Sequence, residues 1–316
     1  MDLYKMRLSN LIFTKLLLLI FVLLIKSIQV QSQFKDGTFN NRNATIYYKI
    51  YGQGKPIVFI HGGPGYSSER MDSLAIKLAA YNYQVILFDH RGTGKSKVTN
   101  YDTATITIEN NVADIEALLT ATGNKSAIIL GHSYGGILAM SFADKYPGMV
   151  DKLVLCSSGG INLDFIGYFE DNIFQRLSYT DSLPVTSQTQ PVTLKEREEA
   201  FFERIRINAP AYLYYKSNVP KLVKLLTIPG SYNPDVNQLT WYDLFRNNYD
   251  LSHNFKNFTK PTLILQGRQD ILGDETALTI NKAFPGSKLI FIDKCGHVPW
   301  LDQPAIFLKT LTDFFN

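Results

Sequence analysis

The 316-residue chain is 45% hydrophobic and 19% charged, with a net charge of +4. These values suit a globular protein with a sizeable core and exclude a disordered or fibrous one. Residues 1–32 carry Lys5, Arg7, Lys15 and Lys26 against Asp2 alone, so the remainder carries only +1 and gives no case for nucleic-acid binding.

The first element is a leader. Basic residues precede an unbroken apolar run over 16–25, closed by Lys26. As a helix this run spans about 15 Å, half a bilayer core, which matches the apolar region of a secretory signal peptide. Val30-Gln31-Ser32 offers small residues for cleavage after Ser32. The alternative is an uncleaved anchor over 11–30, with Lys15 and Lys26 reaching the interface. Export is the expectation, and a membrane partner enters only with the anchor.

From residue 44 onward, strands alternate with helices. Strands are predicted at 44–51, 57–60, 84–88, 127–130 and 153–156, and helices at 71–81, 106–122 and 136–145. Continuously apolar strands such as Ala127-Ile128-Ile129-Leu130 suit a parallel sheet buried on both faces. The alternation predicts a mostly parallel, doubly wound α/β domain. Near Gly160 it stops, and it resumes at Pro261-Thr262-Leu263. The core is therefore expected at 33–160 and 256–316, with a helical lid at 161–255 inserted between two strands. Thr193-Leu194-Lys195-Glu196 has the form of a capping box. The lid is rich in aromatics, among them Phe165, Phe169, Phe201, Trp241 and Phe245, and each is expected in the lid core rather than at substrate. The last block predicts strands at 262–265 and 288–292 and helices at 275–283 and 304–315.

Gly131-His132-Ser133-Tyr134-Gly135 follows an apolar strand and opens a helix. Gly-x-Ser-x-Gly in that context is a nucleophile elbow, in which side chains at the two glycines would collide with neighbouring backbone. A serine nucleophile needs a base, and the base needs an acid to hold its tautomer. His297 follows the last predicted strand and Asp270 the one before, which puts both on the same sheet edge as Ser133. Asp274 is the rival acid, and a role at a helix start suffices for it. His61-Gly62-Gly63-Pro64-Gly65 follows a strand, so backbone there can offer an N–H to a substrate oxygen. Gly63 is the chosen donor, with the N–H of Tyr134 as the second.

Other signals fail. Residues 89–96 end like a phosphate loop, but Asp89 stands where its first glycine belongs. The histidines show no metal spacing, so neither metal nor cofactor is expected. Cys156 and Cys295 are expected as free thiols. Sequons at Asn43, Asn124 and Asn257 matter only in a glycosylating host.

Taken together, His61–Gly65, Asp89-x-Arg91-Gly92-x-Gly94-x-Ser96, the elbow, Gly267-Arg268-x-Asp270 and Gly296-His297 resemble the proline iminopeptidase (prolyl aminopeptidase) branch of the α/β-hydrolases. The resemblance runs from residue 44 to the end and is weakest in the lid. It implies an α/β-hydrolase fold, the triad Ser133, Asp270 and His297, oxyanion donors Gly63 and Tyr134, and structural roles for Asp89 and Arg91. It also implies a small-molecule or short-peptide substrate. One position departs: relatives of this branch commonly place an ammonium-binding acid just after the catalytic Asp, where this chain has Ile271. Glu170, Glu199, Glu203 and Asp243 are other acids of the lid. A carboxylesterase of small acyl esters is the second enzyme reading, and a non-catalytic ligand-binding homologue is the alternative of a different class.

Cleavage after Ser32 makes Gln33 the first residue of the mature protein, which N-terminal sequencing from the native host checks; Met1 intact on membrane-bound protein would favour the anchor instead.

Overall fold

A computed structural model describes residues 34–177 and 193–316; the expected leader at 1–32 lies outside them. Nine strands form one sheet in the order β1-β2-β4-β3-β6-β7-β8-β9, with β5 beside β2. They are β1 (Phe34–Asn41), β2 (Ala44–Tyr51), β3 (Lys55–Ile60), β4 (Tyr83–Phe88), β5 (Lys97–Val98), β6 (Ala127–Ser133), β7 (Val150–Ser158), β8 (Thr262–Gly267) and β9 (Lys288–Ile292). The pairings from β4 through β9 are parallel, with Val58 of β3 opposite both Ile86 and Ile129, whereas β2 runs antiparallel to β4. This is the α/β-hydrolase fold expected from the sequence. Two strands escaped that expectation. In β1 the polar residues are exposed and no apolar run marks it, and β5 is only two residues long.

Alternation along each strand explains the continuous apolar runs. Val58, Ile60, Ile86, Phe88 and Ile129 face one core, whereas Ile57, Phe59, Val85, Leu87, Ile128 and Leu130 face another on the opposite side. Helices α1 (Asp72–Ala79), α2 (Ile108–Ala121) and α3 (Tyr134–Lys145) connect the first strands. The first core takes Ile115 and Leu118 of α2 with Ile137 and Leu138 of α3, and the second takes Leu74 and Leu78 of α1.

Between β7 and β8 lie α4 (Phe165–Arg176), α5 (Leu194–Tyr212), α6 (Val219–Leu226) and α7 (Pro234–Arg246). The capping box at the start of α5 forms as expected. Thr193 Oγ1 accepts from the Glu196 N–H at 3.2 Å, and the Thr193 N–H donates to Glu196 Oε2 at 2.9 Å. These helices have a core of their own around Phe202, Ile205, Leu222 and Leu226. After β8 comes α8 (Gly273–Ala283), and after β9 the short α9 (Pro299–Asp302) and α10 (Pro304–Phe315). Among the described residues, no helix is long and apolar enough to cross a membrane.

The chain leaves β3 toward β4 on one side and enters β6 on the other, so strand order reverses between β3 and β6. In open α/β sheets, the crevice beyond the carboxyl ends of strands at such a reversal is where ligands bind. The loop after β4 is braced from below. Arg91 and Asp114 are both wholly buried; Nε and Nη2 of Arg91 donate to the two Asp114 oxygens at 2.8 and 2.7 Å. Asp89 accepts from the Ser68 N–H and hydroxyl, both at 2.7 Å, and from the Lys95 N–H at 2.8 Å. Asp89 and Arg91 thus hold loops together.

Removing one partner of a buried bidentate pair leaves an uncompensated charge. Asp114→Ala should therefore cost about 3–5 kcal/mol of unfolding free energy, measured by urea denaturation; a loss below about 1 kcal/mol would mean water reaches Arg91.

Candidate active site

Ser133 ends β6 and precedes α3, with a φ of 56° that side-chain-bearing residues rarely adopt. The turn is possible because of its flanking glycines. A Cβ on Gly131 would sit 2.4 Å from the Gly135 carbonyl oxygen, and one on Gly135 would sit 2.1 Å from the Ile60 carbonyl oxygen. Neither position tolerates a side chain without moving backbone.

His297 and Asp270 meet this serine. His297 Nε2 lies 3.0 Å from Ser133 Oγ, and His297 Nδ1 lies 2.8 Å from Asp270 Oδ1. Asp270 Oδ1 also accepts the Leu272 N–H at 3.0 Å. Burial pushes the Asp270 carboxyl up, but His297 and the Leu272 N–H outweigh it and hold it below its ordinary value. An ionised Asp270 accepts the proton of Nδ1, so Nε2 presents its lone pair to the serine hydroxyl, which donates. Asp274 plays no part in this, since it pairs with Arg268 at 3.4 Å in the first turn of α8.

The backbone of His297 is fixed from two sides. Its N–H donates to the Tyr212 carbonyl at 2.7 Å, and its carbonyl accepts from His132 Nε2 at 3.0 Å. Asp302 accepts the N–H groups of Gly296, Tyr214 and Tyr215 at 2.9, 2.8 and 3.1 Å, tying the His297 loop to the chain after α5.

The Gly62–Gly63 segment passes against the serine; a Cβ on Gly62 would lie 2.8 Å from Ser133 Cβ. The Gly63 N–H has no acceptor among the described residues. Tyr134 is the first residue of α3, where an N–H has no intrahelical acceptor. Among the described residues, the N–H groups of Gly63 and Tyr134 are therefore both left without an acceptor.

These groups lie at the floor of a cavity of about 460 Å³ whose walls come from the strand-end loops and from α4–α7. Phe165, Phe169, Phe201, Trp241 and Phe245 all line it. The expectation that each sits in the core rather than at substrate holds in part: Phe165 is buried in the first core and Phe169, Phe201 and Trp241 pack against a core, but all five also face the void over the strand ends. Of Glu170, Glu199, Glu203 and Asp243, only Glu170 lines the cavity. Glu203 is exposed and paired with Arg206, Glu199 with Lys195, and Asp243 accepts the Ile108 N–H and pairs with Arg246. Ile271 is buried in the core, away from the cavity. Cys156 and Cys295 are buried free thiols, as expected. Among the described residues, no three histidine, cysteine or acidic side chains converge as a metal would require.

A profile of the alpha/beta hydrolase fold family matches residues 55–304. The chain belongs to this family. It is a hydrolase, and its similarity to named hydrolases extends over most of its length. The proline iminopeptidase of Saccharolobus solfataricus is 26% identical over 295 residues, covering 86% of this chain and 89% of its own. That of Heyndrickxia coagulans is 28% identical over 276 residues, covering 84% and 92%. An esterase from Exiguobacterium antarcticum shares the fold at a TM-score of 0.64 and 21% identity, covering 86% of this chain and 95% of the esterase.

The site of this hydrolase contains a group that sequence reasoning missed. Arg70, His61, His90 and His132 are all buried around the Gly62–Gly63 loop and the elbow. No spacing in the sequence marks them as a cluster; they come from three strand ends and a 3-10 turn at Ser68–Met71. His61 and His90 stack with ring centroids 4.0 Å apart. Burial holds all three imidazoles below the ordinary histidine value, that of His90 at about 3, and the nearby Arg70 charge adds to it.

Folded-state values depressed in this way leave stability intact above the unfolded histidine value near 6.5 and remove it as pH falls, because only the unfolded chain takes up the protons. Three such groups predict that stability drops by roughly 4 kcal/mol per unit between about pH 6 and 5. His90→Phe should flatten that slope by about a third. Urea denaturation across this range checks both; a flat profile would show that the imidazoles charge inside the folded protein.

Proposed function

We propose that the protein is a serine hydrolase working through an acyl-enzyme, and that it releases N-terminal residues from short peptides in the manner of a proline iminopeptidase. The observation that carries the reaction type is the unbroken chain from Ser133 Oγ through the His297 ring to the buried Asp270, at 3.0 and 2.8 Å, on the cavity floor.

In this mechanism Ser133 Oγ attacks the substrate carbonyl carbon while His297 Nε2 takes the hydroxyl proton. The new oxyanion is met by the N–H groups of Gly63 and Tyr134. The tetrahedral intermediate collapses, its leaving amine takes the proton from His297, and the acyl group stays on Ser133. Water then attacks the ester with His297 again as base, freeing the acid and the serine. Asp270 keeps the Nδ1 proton in place and steadies the imidazolium without itself being protonated.

The peptide reading is supported by the two iminopeptidases, which align over most of both chains. It is also supported by Glu170, a cavity carboxylate with no hydrogen-bond or ion-pair partner among the described residues, which suits a substrate ammonium. An apolar, aromatic cavity equally suits acyl esters, and the carboxylesterase reading rests on that lining. In either case the protein acts outside the cell if residues 1–32 direct export.

The two are separated by one substrate series. A prolyl arylamide should be cleaved and its N-acetylated form should not, while Glu170→Gln should raise KM about tenfold or more. Ser133→Ala should lower kcat by about 10⁶-fold and abolish labelling by a fluorophosphonate probe. Turnover of the acetylated amide or of plain acyl esters as fast as the free prolyl amide would make the protein an esterase.

A further inference from the structure

The peptide joining Gly62 to Gly63 lies along the cavity beside Ser133. Its N–H is the oxyanion donor of the proposed serine mechanism, and a catalytic use for its carbonyl end rests on that mechanism. The carbonyl accepts two hydrogen bonds, one from Arg70 Nη2 and one from His61 Nδ1 at 2.8 Å. A carbonyl cannot donate, so His61 carries its proton on Nδ1. With both lone pairs occupied and the peptide planar, the direction of the Gly63 N–H is set by Arg70 and His61.

Arg70 is unusual in what it lacks. Its side chain is buried, lines the cavity and lies over the Tyr66 ring at 4.1 Å, yet no carboxylate pairs with it among the described residues, and its Nε has no partner. Burial lowers the guanidinium to about 10, which leaves it charged at neutral pH. An unpaired buried cation is disfavoured unless some negative charge answers it. Asp270 is engaged by His297, and no carboxylate hydrogen-bonds to or ion-pairs with Arg70 among the described residues. The charge that arises here during the reaction is the oxyanion.

We infer that Arg70 is a positioning residue for the oxyanion hole, holding and polarising the Gly62–Gly63 peptide so that its N–H is a stronger donor when negative charge develops on the substrate oxygen. A cation on the carbonyl side of a peptide draws electron density from its nitrogen, and hydrogen bonds in such a chain strengthen one another. The effect grows with charge on the acceptor, so it favours the transition state over the bound substrate.

The test is steady-state kinetics on p-nitrophenyl acetate, an uncharged probe, for the wild type, Arg70→Met, Arg70→Lys and Ser133→Ala. Arg70→Met should lower kcat about 10- to 100-fold with KM within about threefold. Inhibition by a trifluoromethyl ketone, which forms a tetrahedral adduct on serine, should weaken by the same factor. Arg70→Lys should recover part of the loss. Unchanged kcat in Arg70→Met overturns the inference. So does a defect confined to KM for a carboxylate-bearing ester, which would make Arg70 a substrate-anion site. Loss of folding in both Arg70 variants, read by thermal unfolding, overturns it too and makes Arg70 a packing residue. Activity that survives Ser133→Ala is a different failure, that of the nucleophile assignment itself.

Discussion

The site depends on a steric constraint at the end of β6. Strand must become helix within one residue, and that residue is Ser133, at a φ that costs about 1–3 kcal/mol for a side-chain-bearing residue. The strain persists because its surroundings allow nothing else. β6 is central and buried, α3 packs back onto it through Ile137 and Leu138, and the glycines at 131 and 135 let backbone meet backbone. The neighbouring strand bends with it. Ser133 pairs with Ser158 although His132 pairs with Cys156, so Ser157, also at positive φ, is an extra residue in β7. Such a bulge re-aims a strand end, here at the edge where Ser133, Asp270 and His297 meet.

Charge in the site is arranged asymmetrically. Asp270 is matched to His297, whereas the cation Arg70 stands near three imidazoles that burial holds below their ordinary value. Neutral rings are what permit this packing, because a second cation beside Arg70 would be repelled in a medium with little water to screen it. His132 illustrates the use made of it. As a neutral ring it donates Nε2–H to the His297 carbonyl, and so fixes the base without competing for its proton.

Much of this was legible in the sequence, for reasons that differ by element. Strands β3, β4 and β6 announce themselves because both faces are buried, so nearly every residue is apolar; β1 does not, because its polar residues remain exposed. Ser133, Asp270 and His297 were legible because each follows a strand, and parallel strands deliver their carboxyl ends to one edge. The side chains of the cavity wall were not. Along α5, Phe201 lines the cavity, Phe202 packs into the lid core and Ile205 does both, and nothing in the residue types separates them. Arg70 was invisible for a related reason: its significance lies in the carbonyl it reaches and the carboxylate it lacks, and neither is a property of its own segment.

The helices over the sheet and the His297 loop are not independent parts. The last carbonyl of α5, that of Tyr212, accepts the N–H of His297, and Asp302 of α9 binds the N–H groups of Tyr214 and Tyr215 just beyond it. Phe201 and Ile205, further back along α5, line the cavity together with Arg204. The helix that lines the cavity thus ends in a carbonyl that holds the backbone of His297. The 3.0 Å distance from Nε2 to Ser133 Oγ is already set without a substrate, so the cavity wall and the His297 loop form one preorganised unit. The lid helices therefore support the His297 loop, through the Tyr212 carbonyl, as well as walling the cavity.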